Sequence, residues 1–523
     1  MKESHTTLSN FETTQSLKKQ LPFNLISNFT FFLVNVFIGL FLVPFFISTL
    51  GIAAYGIIPL ATTLNSYIGL FTESFNTAVS RYLTVDLRRE DYTSANKTFN
   101  SAFFTISGIV LILVPIVALF SFFTPAIFNV PSGQEIEVIC LFLGVTGAFL
   151  VRSWSGNFTV SLYAYNRLDI INYINIVNAI MQIVIILFGF SVFGPSLTIV
   201  GGAYLIAGIS VTIIAFFLSR RVNPNLQINI NDFDYARLHN ICETGWWVIV
   251  NNIGALLFLS TSLILVNIFF GAAATGEYAI ALQWVVLLYA IAGTLSGVLT
   301  PIVLTYYAKE QTETLIKVSK SAVKLMGLFM ALPIGLICGF SPMLLTIWVG
   351  QEYSLLAPLI VILTGNLAIN LAVLPLFSIN IAFNRVKIPG IVTLIMGIGN
   401  VLLAIILSLY TGWGYYGVAI AGAIVLTSKN AIFTPWYATR VLQVSKKTFF
   451  RAMLPGVIAT TIIAICASII LFVFNVACIS SLIIAGGILI IVYMTVLWSI
   501  GLNPFERGLF SSSLPRTIRR FVK

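Results

Sequence analysis

Three charged side chains fall inside long apolar runs: Arg152, Lys429 and Glu73. A fourth, Arg81, lies at the end of one. An ionisable side chain at membrane depth costs about 2.5–3.5 kcal/mol by insertion scales and more by simulation, so its presence asks for a reason. Arg152 and Lys429 can neutralise an anion such as a phosphate where water is scarce, Arg by its planar fork and Lys as a point charge. Glu73 can balance them when no anion is bound, or carry a proton. A second account makes the three an ion-pair network that holds helices together and touches no ligand. Arg81 is either an entrance-gate residue or an anchor at the membrane surface. These four are the candidate substrate-binding residues, and the sequence shows no catalytic or metal-binding set beside them.

Glu73 belongs to a pattern. Thr62, Ser66, Gly69, Glu73, Asn76 and Ser80 follow one another at steps of three or four, which places them on one helical face. A polar face on a spanning helix looks at other helices or at water, not at lipid. Small and hydroxyl residues also serve as plain glue between helices, so both readings stand. Counted inward from the nearest helix ends at 1.5 Å per residue, Glu73 and Arg152 lie roughly 24 Å deep and Lys429 roughly 20 Å. That common depth predicts one central cavity onto which the charges open, with Glu73 within reach of at least one cation or of water shared with it.

The elements that must position these residues are membrane helices. Of 523 residues, 58% are hydrophobic and 9% charged, against about a quarter charged in soluble domains. Apolar runs of the length a bilayer requires predict an all-α, polytopic protein of about fourteen spans, from 23–49 and 57–82 to 452–474 and 478–502. With the N-terminus inside, every Lys and Arg except Arg152 and Lys429 falls on the cytoplasmic side or at its helix ends, as the positive-inside rule demands. Both termini are then cytoplasmic. The net charge of +11 sits in short loops, which excludes nucleic acid as a partner. The five cysteines are scattered and the two histidines lie in polar stretches, so neither a disulfide framework, a zinc site nor a cofactor is expected. The first apolar run begins near Pro22 and is too long for a signal-peptide core. Trp246, Trp247 and Trp413 stand near expected interfaces.

The chain also repeats itself. Gly51 to Gly56 returns as Gly271 to Gly276, and Lys97, Ser101 and Ala102 return as Lys317, Ser321 and Ala322. Gly133-Gln134-Glu135 matches Gly350-Gln351-Glu352, and Asn166-Arg167 matches Asn384-Arg385. Six helices per repeat make the two copies parallel, related by an axis along the membrane normal. The expected organisation is a polar tail (1–22), a six-helix lobe (23–221), a second six-helix lobe (242–441), helices thirteen and fourteen (452–502) and a tail (503–523). Two such lobes are a transporter architecture in which rocking gives alternating access.

The Leu50–Gly56 and Gly271–Tyr278 motifs, the Asn-Arg after the fourth and tenth helices, and the twelve-plus-two helix count resemble the multidrug/oligosaccharidyl-lipid/polysaccharide exporter superfamily. The likeness is greatest to its bacterial polysaccharide flippases of the Wzx, O-antigen type, and covers the chain from about residue 20. The resemblance implies a flippase of the bacterial inner membrane that moves an undecaprenyl-pyrophosphate-linked oligosaccharide to the outer leaflet, as in lipopolysaccharide and O-antigen assembly. It implies membrane lipid, a coupling ion (H+ or Na+) and polysaccharide polymerase machinery as partners. Arg152 and Lys429 would then meet the pyrophosphate, and Asn28, Asn35, Asn251, Asn252 and Gln283 would face sugar. The competing readings are an ion-coupled small-molecule exporter and a membrane enzyme. The first would want an acidic cavity. The second usually wants large outer loops or membrane histidines, and neither is present.

Overall fold

The computed structural model describes residues 2–474, 478–504 and 506–507; side chains of residues 2–19, 21, 71, 88, most of 240–251, 259, 297–302, 304 and 308 lie outside that description. Helix α1 spans Lys2–Leu50, α2 Ile52–Arg88, α3 Tyr92–Ile127, α4 Glu135–Ala164, α5 Leu168–Phe193 and α6 Leu197–Val222. A 3-10 turn at Ile230–Asp232 leads to α7 (Tyr235–Leu259), α8 (Thr261–Ala308) and α9 (Thr312–Trp348). The tenth expected span is broken into α10 (Ala357–Gly365), α11 (Leu367–Asn370) and α12 (Leu374–Ala382), and α13 covers Lys387–Tyr410. The twelfth consists of α14 (Tyr415–Ser428), a π-helical turn (Lys429–Phe433) and α15 (Thr434–Leu442). Helices α16 (Lys447–Val473) and α17 (Ile479–Val496) follow.

Twelve helical segments among the described residues are long and apolar enough to cross a membrane. One of them, Asn252–Ser296, contains Gly271 in a non-helical conformation (φ 89°, ψ 179°) and is therefore two spans. Helix α2 is 37 residues long but lies outside that set, because Thr62, Thr63, Asn65 and Ser66 dilute its apolar half. Counting both gives the fourteen-span, all-α polytopic architecture. The boundaries differ in two places. The first membrane span, Pro22–Leu50, starts where expected, but its helix begins already at Lys2; Glu12, Gln15, Leu17, Lys18 and Lys19 are helix formers that let its backbone extend. The seventh span breaks at Ser260, between α7 and α8.

The backbone repeats as the sequence does. Gly51 turns the chain between α1 and α2 at φ 84°, and Gly271 turns it at φ 89°. A side chain is strained there, so glycine is required at both. Glu90 and Glu310 take left-handed φ of 58° and 56°, and Asn166 and Asn384 take 58° and 52°. Each pair ends equivalent helices with the same six-to-one bond. Asp91 N–H reaches the Asp86 carbonyl and Gln311 N–H the Tyr306 carbonyl, both at 3.1 Å. Arg167 N–H reaches Leu162 at 2.9 Å, and Arg385 N–H reaches Asn380 at 2.7 Å. These are Schellman-type ends, in which the left-handed residue satisfies otherwise orphaned carbonyls. Two copies of one local rule at each place are what a duplicated six-helix unit leaves behind.

Contacts divide the chain into two compact units, Met1–Ala279 and Ile280–Lys523, with the boundary inside α8. In the first unit, helices meet on small residues. A Cβ added to Gly144 of α4 would lie 2.2 Å from the Gly201 carbonyl oxygen of α6. A Cβ on Gly276 of α8 would lie 2.2 Å from the Ile52 carbonyl oxygen of α2. Such close approach is how membrane helices gain packing energy where the hydrophobic effect is absent. The segment between α6 and α7 is tied down by polar contacts. Asp234 accepts from the backbone N–H groups of Ala236 and Arg237 at 2.9 and 3.2 Å, and pairs with Lys97 at 3.4 Å. The Arg237 amide, with help from Lys97, holds the Asp234 carboxyl below its usual range. In the second unit α16 lies along α9 through Gly327, Gly335, Gly339 and Gly456. Helix α17, outside the repeat, leaves Ile483, Ile484, Ile488 and Ile491 exposed.

Candidate functional site

Each unit carries one cation within an apolar helical run, in asparagine-rich company. In the first, Arg152 projects from α4 with its Nη2 3.0 Å from Asn175 Oδ1 on α5. Helix α5 places Asn172, Asn175 and Asn178 at every third position. Asn172 donates to Asn28 Oδ1 at 2.6 Å and to Ser27 Oγ at 3.0 Å, tying α5 to α1. The seam continues toward the α5 start, where Asn24 donates to the Asn166 carbonyl at 2.9 Å and Gln20 to Asp169 at 2.8 Å. Arg152 is itself exposed and forms no ion pair among the described residues. A guanidinium with one neutral acceptor keeps most of its donors free for an anion.

Helix α2 splits its polar stripe between two jobs. Gly69 is buried and Asn76 half-buried. A Cβ on Gly156 of α4 would come within 2.5 Å of Asn76 Nδ2, so this part of the stripe packs on α4. Thr62 donates back to the Pro59 carbonyl and Ser80 to Thr77. Ser66 and Glu73 are exposed, as are Thr77 and Arg81 further along the same face. The open face is thus rotated toward Thr77 and Arg81 from the stripe read in the sequence. Glu73 and Arg81, eight residues apart, are separated by about 12 Å of helix rise. Glu73 forms no ion pair with Arg152 among the described residues. Arg152 leans to α5, whereas α4 meets α2 through Phe149, Ser153 and Gly156.

In the second unit Lys429 is 6% exposed. It opens the π-helical turn, and its Nζ lies 5.4 Å from the Phe377 ring centroid, a cation–π approach to α12. The next residue, Asn430, donates to Asn370 Oδ1 at 3.1 Å, and Asn370 donates to Asn366 Oδ1 at 2.6 Å. Thr434 closes the chain on Asn430 at 3.2 Å. Asn366 and Asn370 lie where the α10–α12 span is interrupted, and π-turns and broken helices gather at functional sites in membrane proteins. Lys429 has no carboxylate in salt-bridge reach among the described residues.

A relative at the sequence level supplies the family. The uncharacterized membrane protein EpsK of Bacillus subtilis (strain 168) is 34% identical over 431 residues, covering 82% of this chain and 85% of EpsK. The chain belongs to the EpsK family. No family model matches it. Among solved structures, the lipid II flippase MurJ in an inward closed conformation aligns at TM-score 0.67 and 16% identity, over 91% of this chain and 98% of MurJ. An inward-facing multidrug resistance MATE family transporter of the MOP superfamily aligns at TM-score 0.57 and 16% identity, over 80% of this chain and 99% of its own. At that identity the two show the fold alone, a polytopic all-helical architecture that this chain shares.

Sequence reasoning passed over Asn175, Asn366, Asn370, Asn430 and Phe377. Asparagines at every third position of α5, and the pairs near Asn370 and Asn430, were the available signal, since an amide in an apolar run has to find a partner. Asn252 donates weakly to Ser74 Oγ at 3.5 Å, and Asn35 bonds the Phe31 carbonyl of its own helix at 2.8 Å. Gln283 is half-buried. The side chains of Asn251, Trp246 and Trp247 lie outside the described residues.

Proposed function

We propose that this chain is a flippase that carries an undecaprenyl-pyrophosphate-linked oligosaccharide from the cytoplasmic to the outer leaflet of the bacterial cytoplasmic membrane by alternating access. The observation that carries the reading is Lys429: a buried cation on a π-helical turn with no anionic partner among the described residues. An unpaired buried charge is costly to keep and marks a place where an anion binds. Arg152, with only an amide for company, is its counterpart in the first unit. A phosphate-bearing cargo uses cations of this kind, and asparagines suit the hydroxyls of a sugar. The fold, shared with a lipid II flippase, supports the same reading. Arg81, on the open face of α2, is proposed as a gate residue. Glu73 supports a narrower alternative, an ion-coupled small-molecule exporter, because an exposed carboxylate on a polar helix face can carry H+ or Na+.

The test is glycan export in a deletion strain complemented with Arg152→Ala or Lys429→Ala. Both variants should reach the membrane in near-normal amounts, fail to restore surface glycan and accumulate lipid-linked repeat units inside. Drug sensitivity with normal glycan would select the exporter. Normal glycan and normal drug tolerance with both variants would remove the cationic-site reading.

A further inference from the structure

Two cavities open along one face of α5. The first, of about 710 Å3, lies at the basic end of the helix, with Ile170 and Tyr173 on one wall, Leu218 and Val222 of α6 on the other, and Arg167 and Arg221 beside them. The second, of about 450 Å3, lies between α5 and α1 and is walled by Leu33, Phe37, Ile180 and Val184 among others. Tyr173, Ile180 and Val184 are seven and four residues apart, so they share one face. The apolar crevice begins about 10 Å of helix rise above Tyr173 and continues to about 16 Å.

The charges at the first cavity are unequal. Arg167 is locked in a two-pronged pair with Asp169, Nε–Oδ1 and Nη2–Oδ2 both 3.0 Å. Asp169 also accepts from Gln20 at 2.8 Å, so its oxygens are engaged. Arg221 is exposed and has no ion-pair partner among the described residues. The cavity therefore offers one open positive charge, with the exposed Tyr173 nearby and apolar walls below. From that site the lipid-facing surface runs on as Ile180, Val184, Ile213 and Phe217, all exposed.

We propose that this face of α5 holds an anionic phospholipid of the membrane leaflet on the basic side, which the positive-inside pattern makes the cytoplasmic one. Its phosphodiester rests on Arg221 and Tyr173, and one acyl chain follows α5 into the crevice against α1. The spacing matches the ligand: a charged head needs the basic, open cavity, and a chain needs a wholly apolar one further into the bilayer. Basic pockets between helices at the cytoplasmic surface recognise such headgroups.

The full chain, purified in detergent, is incubated with phosphatidylglycerol or phosphatidylcholine, and native mass spectrometry counts the lipid retained. Phosphatidylglycerol should be retained over phosphatidylcholine. Arg221→Gln should lower its occupancy about fivefold, the effect of one basic residue near a membrane surface. Arg451→Gln, an exposed basic residue of the second unit, should not. Val184→Trp, which fills the crevice and leaves Arg221 in place, should lower retention too. Unchanged phosphatidylglycerol on Arg221→Gln overturns the proposal, as does equal retention of phosphatidylcholine. Release of the lipid by inorganic phosphate would make the cavity a free-anion site and overturn it. Arg221-dependent displacement by undecaprenyl pyrophosphate would assign it to a cargo lipid and also overturn it. Because the readout is binding, it is independent of export.

Discussion

At the scale of single residues, Lys429 separates folding from function. A buried ammonium without an anionic neighbour lowers stability, so an apolar replacement of similar length relieves the protein of a cost. Lys429→Met should leave membrane abundance unchanged or raise it and raise the thermal midpoint of the purified chain, while glycan export is lost. A lowered midpoint would mean that Lys429 holds the fold through a partner. Arg152 poses a different question, because its fork is mostly free. Arg152→Lys should retain part of the export if charge is what matters, and little if two-pronged recognition is needed. Lys324 and Glu506 are the opposite case. They pair at 2.8 Å with Glu506 nearly fully buried, and Glu506 also accepts from the Asn503 amide at 2.9 Å. Lys324→Met alone strands that carboxylate and should cost about 3–5 kcal/mol. Adding Glu506→Leu should recover much of the loss, which a double-mutant cycle on thermal unfolding reads directly.

Between elements, the tightest joints are glycine on backbone. Gly276 of α8 stands over the Ile52 carbonyl of α2, and Gly56 of α2 over the backbone of Gly276, where an added Cβ would lie 2.5 Å from its nitrogen. Neither backbone can retreat as a flexible side chain would. Gly276→Val should therefore lower thermal stability and membrane yield, whereas Gly293→Ala in the same helix, with nothing within 4 Å of its added Cβ, should be neutral or stabilising. Equal behaviour of the two would show that α2 and α8 do not approach this closely in the membrane. The periodicity of α2 was legible in the sequence, but its rotation was not. Six polar residues at steps of three and four define a face about one helix axis, and only the approach of Gly156 to Asn76 decides which edge is covered.

For the whole molecule, orientation and repeat are linked. Single cysteines near Gly133 and Gln351, in a background without native cysteines, should react with an impermeant thiol reagent added outside cells. Those near Arg89, Arg221 and Lys447 should not. Labelling near Arg221 from outside would mean that the repeats are antiparallel and the transporter architecture is wrong, and would remove the cytoplasmic leaflet from the phospholipid proposal. The repeat makes the same demand, since six helices bring each copy in from one side. Its backbone marks are the left-handed residues at Gly51 and Gly271, Glu90 and Glu310, and Asn166 and Asn384. The glycine and asparagine pairs were visible in the sequence. The glutamate pair was not, because nothing in a glutamate announces a left-handed helix end.

The sequence alone determined that the chain spans a membrane many times and that its turn motifs recur in a second copy. It also determined which four charged residues needed explaining. Those conclusions rest on composition, run length and loop charge, which bilayer thickness and the cost of charge in hydrocarbon make decisive. Tertiary structure alone decided the partners. It turned Arg152 to Asn175 rather than to Glu73, and broke the tenth span beside Asn366 and Asn370. It set Lys429 on a π-turn over Phe377. A one-residue change in helical register rotates a side chain by about 100°, and that register is set by close packing between helices distant in sequence.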